Sequence, residues 1–236
     1  MSQTKRQRFE STGKIKIEDL LTFDPLTDNQ QKARDCWKEG DHLVLNGSAG
    51  TGKTFTALYL ALQDVLDKST PWDKVHLIRS VVPTREVGFL PGTAEEKLLP
   101  FITPYISICD TLFEQGGAYS KLVEQKAIEF HSTSFIRGTT FDNAIIIVDE
   151  MQNLTFHELD SVVTRLGLES RIIFAGDYYQ TDFVKAGDKK GIIEFLEIIE
   201  LMKDFSIIEF GWQDIIRSDF VRDYIMTKEM KAKGNI

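Results

Sequence analysis

The eight residues Gly47-Ser48-Ala49-Gly50-Thr51-Gly52-Lys53-Thr54 fit the spacing G-x-x-x-x-G-K-[ST] at every fixed position. A loop of this kind handles phosphate. Its glycines let the backbone fold closely around the ligand with N–H groups pointing inward. The helix that opens at the lysine adds the positive end of its dipole. Lys53 can reach the β- and γ-phosphates, and the Thr54 hydroxyl can bind Mg²⁺. A second group, Asp149-Glu150, closes the apolar run Ala144-Ile145-Ile146-Ile147-Val148. Asp149 is placed to hold the ion that Thr54 touches, and Glu150 to polarise an attacking water as general base. An acid pair after a strand is also an ordinary solvated loop start, and it is the phosphate loop upstream that favours the catalytic reading. A third group is Gly176-Asp177-Tyr178-Tyr179-Gln180-Thr181-Asp182. The amide of Gln180 both donates and accepts, so it can contact the γ-phosphate or the water; the alternative is a turn with an exposed glutamine. Tyr178 and Tyr179 offer faces for base stacking, although loop aromatics more often pack.

These groups need strands and helices to bring them together. His42-Leu43-Val44-Leu45 reads as a strand before the loop, and Phe55 to Leu62 as a helix after it. Thr27-Asp28-Asn29-Gln30 reads as a capping box that opens a helix through Trp37. Further strands are expected at Val75–Arg79, Ala127–His131, Ala144–Val148, Arg171–Ala175 and Ser206–Phe210. Helices are expected from Ala94, across Lys121–Lys126, after the capping box Thr155-Phe156-His157-Glu158, at Gly191–Met202 and at Asp219–Met230. Pro100 and Pro104 should break or kink the first of these. Strands alternating with helices imply an α/β domain with a mostly parallel sheet, its ligand at the carboxyl ends of the strands. The segment 83–130 stands out as a helical excursion after the second strand. Residues 1–23 read as a loosely ordered basic arm, 24–217 as the core, and 218–236 as a terminal helix and tail.

Composition narrows the setting. No apolar run is long enough to span a bilayer, and the polar, basic N-terminus is no secretory signal. The two cysteines, Cys36 and Cys109, form no C-x-x-C pair, which fits a reduced, cytoplasmic compartment. The four histidines, His42, His76, His131 and His157, show no metal-ligand spacing. A net charge of −8 argues against a surface coated for nucleic acid but leaves room for a local basic channel.

The segments GSAGTGKT, VGFLPG followed by EEKLLPF, FIRGTTF, IIIVDEMQN and TRLGLESRIIFAGDYYQTD occur in this order between about Pro25 and Arg217. In this the chain resembles the PhoH-like proteins, phosphate-starvation-inducible ATPases related to superfamily 1 helicases. Its compact length is similar to phage-encoded versions. The resemblance implies a single RecA-like P-loop NTPase domain that binds ATP and Mg²⁺. It implies phosphate and metal binding by Lys53 and Thr54, metal binding and base roles for Asp149 and Glu150, and a γ-phosphate sensor in Gln180. Asn29-Gln30 matches a helicase-type glutamine motif in which Gln30 reads the adenine edge, a role that competes with the capping box. Two departures stand out: Thr139 follows Arg137-Gly138 where a second arginine is usual, and Ser218-Asp219 follows Arg217 where histidine and proline are usual.

The resemblance also implies rings, with hexamers expected. Phosphoryl transfer calls for an arginine to neutralise transition-state charge. With no second RecA-like half in the chain, that arginine comes either from the same subunit or from a neighbour delivering Arg217 or Arg137. The expected activity is therefore ATP hydrolysis coupled to single-stranded nucleic acid, RNA before DNA, with Arg79, Arg85 and the loop Ser80 to Pro83 near the strand. The alternative is an ATP-dependent switch or assembly factor acting on a protein partner through the 83–130 excursion. A small-molecule kinase is disfavoured, because kinases lack the Asp-Glu arrangement and carry an arginine-rich lid.

Overall fold

The computed structural model describes residues 13–81, 94–133, 136, 138–177 and 186–232. Six parallel strands form one sheet: β1 (His42–Gly47), β2 (Lys74–Arg79), β3 (Ile128–Ser132), β4 (Ala144–Asp149), β5 (Arg171–Gly176) and β6 (Phe205–Phe210), in the order β3-β2-β4-β5-β1-β6. The helices are α1 (Asp28–Glu39), α2 (Lys53–Leu66), α3 (Ala94–Leu112), α4 (Ala118–Glu124), α5 (Phe156–Val163), α6 (Ala186–Glu200) and α7 (Asp219–Ala232). This is the single RecA-like P-loop NTPase domain expected from the sequence.

The strands alternate between two cores because successive side chains leave a strand on opposite faces. Leu43, Leu45, Ile145, Ile147, Ile173 and Ala175 pack on one side with residues of α1 to α4. Val44, Ile146, Val148, Ile172 and Phe174 pack on the other with α5 and α6. Every residue of β4 and β5 is buried, which is why both read as unbroken apolar runs. Each fully buried Ile or Leu contributes about 1.5–3 kcal/mol. The sheet is therefore a rigid base for the loops at its carboxyl edge.

Several expectations need correction. The helix from Ala94 is not broken at Pro100 or Pro104; it continues through both to Leu112. Both prolines lie on the exposed face, where water can reach the carbonyls they leave unbonded, while Tyr105, Cys109 and Leu112 are fully buried and hold the helix to the sheet. The excursion is not wholly an insertion either, since its last residues enter β3, the edge strand. The arm does not extend to Phe23. Ile15 is buried and its N–H donates to Gln125 Oε1, while Phe23 packs edge-on against Phe55 and Tyr59. Thr27 caps α1 by accepting from Gln30 N–H, but the Gln30 side chain does not return to close a box. The box at Thr155 and Glu158 is complete.

Candidate active site

The carboxyl ends of β4, β5 and β1 are adjacent in the sheet, and Asp149, Gly176 and Gly47 stand at them. The phosphate loop follows β1 and is braced from two sides. Ser48 N–H donates to Phe210 O at 3.1 Å, and Ile216 N–H to Gly50 O at 3.1 Å, so the chain after β6 grips the loop. Gly47 has φ +130°, and a Cβ there would lie 2.0 Å from Phe210 O; only glycine lets β6 come this close. On the other side, Gln30 is buried and its Nε2 donates to Thr51 O at 3.0 Å. Its Oε1 accepts from Leu26 N–H at 2.9 Å. Asn29 Nδ2 donates to the buried Asp214 at 2.8 Å, anchoring the turn after β6. The Asn29-Gln30 pair thus braces the loop and the turn, a third role beside the two weighed from the sequence.

Lys53 opens α2, and its Nζ donates to Gly47 O and Ser48 O, both at 2.7 Å. Burial lowers its pKa, opposed by the charges of Asp177, Glu150, Asp149 and Glu229. Those acids keep a cation favourable at the mouth of the loop.

Thr54 Oγ1 donates to Asp149 Oδ1 at 2.8 Å. Asp149 is 4% exposed, and burial together with the charge of Glu150 raises its pKa, against hydrogen bonds from Tyr105 and Thr54. Adjacent ligands of an octahedral Mg²⁺, with bonds of about 2.0–2.1 Å, stand about 2.9 Å apart. The Thr54 and Asp149 oxygens already have that separation. A divalent cation would also relieve the cost of burying the carboxylate.

Glu150 lies in the left-handed region with φ 52° and ψ 44°. A non-glycine residue held there costs on the order of 1–3 kcal/mol, and such strain concentrates at functional sites. The conformation turns the chain sharply after β4 into a 3-10 turn at Met151–Asn153. Gln152 Nε2 donates to Glu150 Oε2, and Gln152 Oε1 accepts from Asp177 N–H at 3.0 Å. Glu150 is thereby tied to the end of β5. Gly176 leaves room for this link, because a Cβ there would lie 2.3 Å from Gln152 Oε1.

An open pocket of about 620 Å³ joins these groups and is lined by Lys53, Thr54, Asp149, Glu150, Gln152, Asp177 and Arg217. The structure thus brings together the loop residues 47–54, Asp149, Glu150 and Arg217. Arg217 lines the pocket of its own subunit, its side chain lying over Gly50, the placement expected of the same-subunit alternative. Gln180 and Arg137 lie outside the described residues, as do Arg85 and the VGFLPG segment.

Three residues of the site were given no part in it by the sequence. Tyr105 Oη donates to Asp149 Oδ2 at 2.8 Å. Arg79, expected near nucleic acid, instead ends β2 with Nη1 4.0 Å from Asp149 and Nη2 4.0 Å from Glu150. Gln152 sat in a quoted motif without a task. Arg79 had one usable signal, its place at a strand's carboxyl end. Tyr105 had none, since 44 residues and a helix separate it from Asp149.

A family model described as "PhoH-like protein" matches residues 22–228. The PhoH-like protein of Mycobacterium leprae (strain TN) is 31% identical over 224 residues, covering 92% of this chain and 62% of that protein. The PhoH-like protein of Bacillus subtilis (strain 168) is 35% identical over 191 residues, covering 80% of this chain and 58% of the relative. The chain therefore spans about three fifths of the length of these relatives. Among solved structures, the large terminase of a thermophilic bacteriophage, in complex with ADP, superposes with a TM-score of 0.52 at 15% identity. The match covers 85% of this chain and 49% of the terminase, a likeness of fold.

Proposed function

The chain belongs to the PhoH-like family, and on that premise we propose that it is a Mg²⁺-dependent ATP hydrolase, helicase-like in working on single-stranded nucleic acid, with RNA the favoured polymer. The observation that carries the hydrolase reading is the 2.8 Å contact of Thr54 with Asp149 beside the Lys53 amine. Thr54 and Asp149 hold Mg²⁺, which when bound neutralises charge on the β- and γ-phosphates. Lys53 exchanges the carbonyls of Gly47 and Ser48 for phosphate oxygens. Glu150, oriented by Gln152, takes the proton of the water that attacks the γ-phosphorus; the bond to the β,γ-bridging oxygen breaks, and ADP and phosphate leave. Arg217 supplies positive charge from within the subunit. Gln180 is the proposed γ-phosphate sensor; for Gln30 to contact the adenine edge it must use the amide hydrogen and lone pair left over from its bonds to Thr51 and Leu26.

The nucleic-acid part rests on the helicase-type motif order. ATP hydrolysis measured with and without single-stranded RNA or DNA, across a salt series, tests it: stimulation that fades with salt supports a nucleic-acid motor. No response to either polymer would favour the second reading, a switch or assembly factor acting on a protein. One observation supports that reading too: α7 presents Phe220 and Tyr224 at 81% and 65% exposure. The same surface supports a ring-shaped homo-oligomer, a hexamer in this proposal, with Arg137 as the arginine delivered to a neighbour. Among the described residues no helix is long and apolar enough to cross a membrane.

A further inference from the structure

His76, Glu129 and His131 show no ligand spacing in sequence, yet the fold gathers them. β2 and β3 are parallel, with His76 in register with Glu129. His131 lies two residues further along β3, so all three side chains leave the same face of the sheet. His76 Nδ1 and His131 Nε2 are 2.8 Å apart. Glu129 Oε2 lies 4.0 Å from His76 Nδ1, and Glu129 Oε1 3.8 Å from His131 Nε2. Phe141 packs against both rings, at 4.6 and 5.9 Å between centroids, and holds their planes.

We propose that these three side chains form a site for a divalent transition metal of the zinc class, its remaining coordination position facing the surface groove lined by Thr140 and Asp142. Tetrahedral zinc with bonds of about 2.0–2.1 Å spaces its ligand atoms about 3.4 Å apart. One ligand atom from each residue already lies within 4.8 Å of the other two, so parting the imidazoles by about half an ångström and swinging one carboxylate oxygen inward meets that geometry. Glu129 is half-exposed, so its carboxylate has room to turn about the Lys74 contact. Its Oε2 pairs with Lys74 Nζ at 3.0 Å, while Oε1 faces His131. Each imidazole ligates with its proton on the far ring nitrogen. Burial, with the neighbouring His131, lowers His76 to about 4, and burial also lowers His131, so lone pairs are available at neutral pH. Two nitrogen donors select against Mg²⁺, which keeps this site chemically separate from the Thr54–Asp149 pair. The bound ion would clip the edge strand to its neighbour.

Untagged, chelator-stripped protein free of nucleotide, which would itself chelate the titrant, is titrated calorimetrically with Zn²⁺ and with Co²⁺ in excess Mg²⁺, so that the phosphate site is already occupied. One equivalent of each is expected to bind, Co²⁺ giving the visible bands of a tetrahedral site. His131→Ala and the conservative Glu129→Gln each weaken binding by at least about tenfold, with unchanged circular dichroism as the check on folding. If His131→Ala does not fold, Glu129→Gln carries the test. Absence of saturable Zn²⁺ binding, or equal affinity in wild type and Glu129→Gln, overturns the proposal.

Discussion

Tyr105 Oη donates to Asp149 Oδ2 at 2.8 Å, while Thr54 takes the other carboxylate oxygen. A helix from the excursion therefore orients Asp149, the proposed Mg²⁺ ligand, at the end of β4. Groups that orient a metal ligand typically matter 10–100-fold to affinity. Tyr105→Phe is expected to raise the Mg²⁺ concentration for half-maximal ATP hydrolysis about tenfold, with saturating activity largely kept. A fall in melting temperature with an unchanged Mg²⁺ requirement would make Tyr105 a packing residue only.

Glu150, the proposed base, has a strained backbone. Glu150→Gln should lower kcat by about 10²–10⁴ while nucleotide binding persists. Glu150→Gly should be as inactive, yet at least as resistant to denaturant as wild type, because glycine adopts φ 52° without strain. Retained turnover in Glu150→Gln would remove the residue from the chemistry.

Arg217 lies over Gly50 of its own loop. Mixing Lys53→Ala with Arg217→Ala protein should therefore recover no ATPase activity, because each subunit lacks a part that its neighbour cannot supply. Recovery in a confirmed oligomer would mean that Arg217 crosses a subunit boundary.

α7 reaches back to the phosphate loop: Glu229 Oε2 accepts from Ser48 Oγ at 3.1 Å and from Trp212 Nε1 at 2.6 Å. A carboxylate so near the loop opposes an incoming triphosphate. Glu229→Gln keeps the hydrogen-bond shape and removes the charge. It should tighten ATP binding severalfold, on the order of 1 kcal/mol at low salt, with the difference shrinking as salt rises. Equal dissociation constants for the two proteins would show that the acid is screened.

Acid should destabilise the protein from about pH 6.5 downward. Burial, then His131, lowers His76 to about 4 in the fold, with Glu129 pulling upward and Lys74 downward. Above pH 6.5 both the folded and unfolded forms carry it neutral. Between 6.5 and 4 only the unfolded chain takes the proton, so stability falls as pH falls, by up to about 1.4 kcal/mol per pH unit for this group. His42 and His131, lowered chiefly by burial, act in the same direction, and Asp149, raised chiefly by burial, offsets part of the loss at lower pH. Denaturant titrations at pH 7.5 and 5.5 should show a smaller loss for His76→Gln than for wild type.

Much of the site was legible because its logic is local. The loop, its lysine, its threonine and the acid pair each sit where a strand ends, and an apolar run marks the strand. What stayed hidden depends on pairing between distant segments. Tyr105 reaches Asp149 only once α3 has docked, and α3 survives two prolines because its buried face outweighs the lost hydrogen bonds. The Gln30 side chain had one reading from spacing and another from the family resemblance, and the fold also uses it to hold Thr51.

The sequence by itself determined that the glycine-rich loop 47–54, Asp149 and the neighbouring Glu150 stand at the ends of buried parallel strands. Periodicity and motif spacing are properties of a few consecutive residues, so they survive without a structure. Only the tertiary structure decided which residues face one another across the sheet. It placed Arg79 on the acids, Arg217 over its own loop, and Glu229 against Ser48. It set His76 beside His131 across 55 residues of chain. Strand register and helix docking emerge from burial summed over the whole core, and no short stretch of sequence contains that sum.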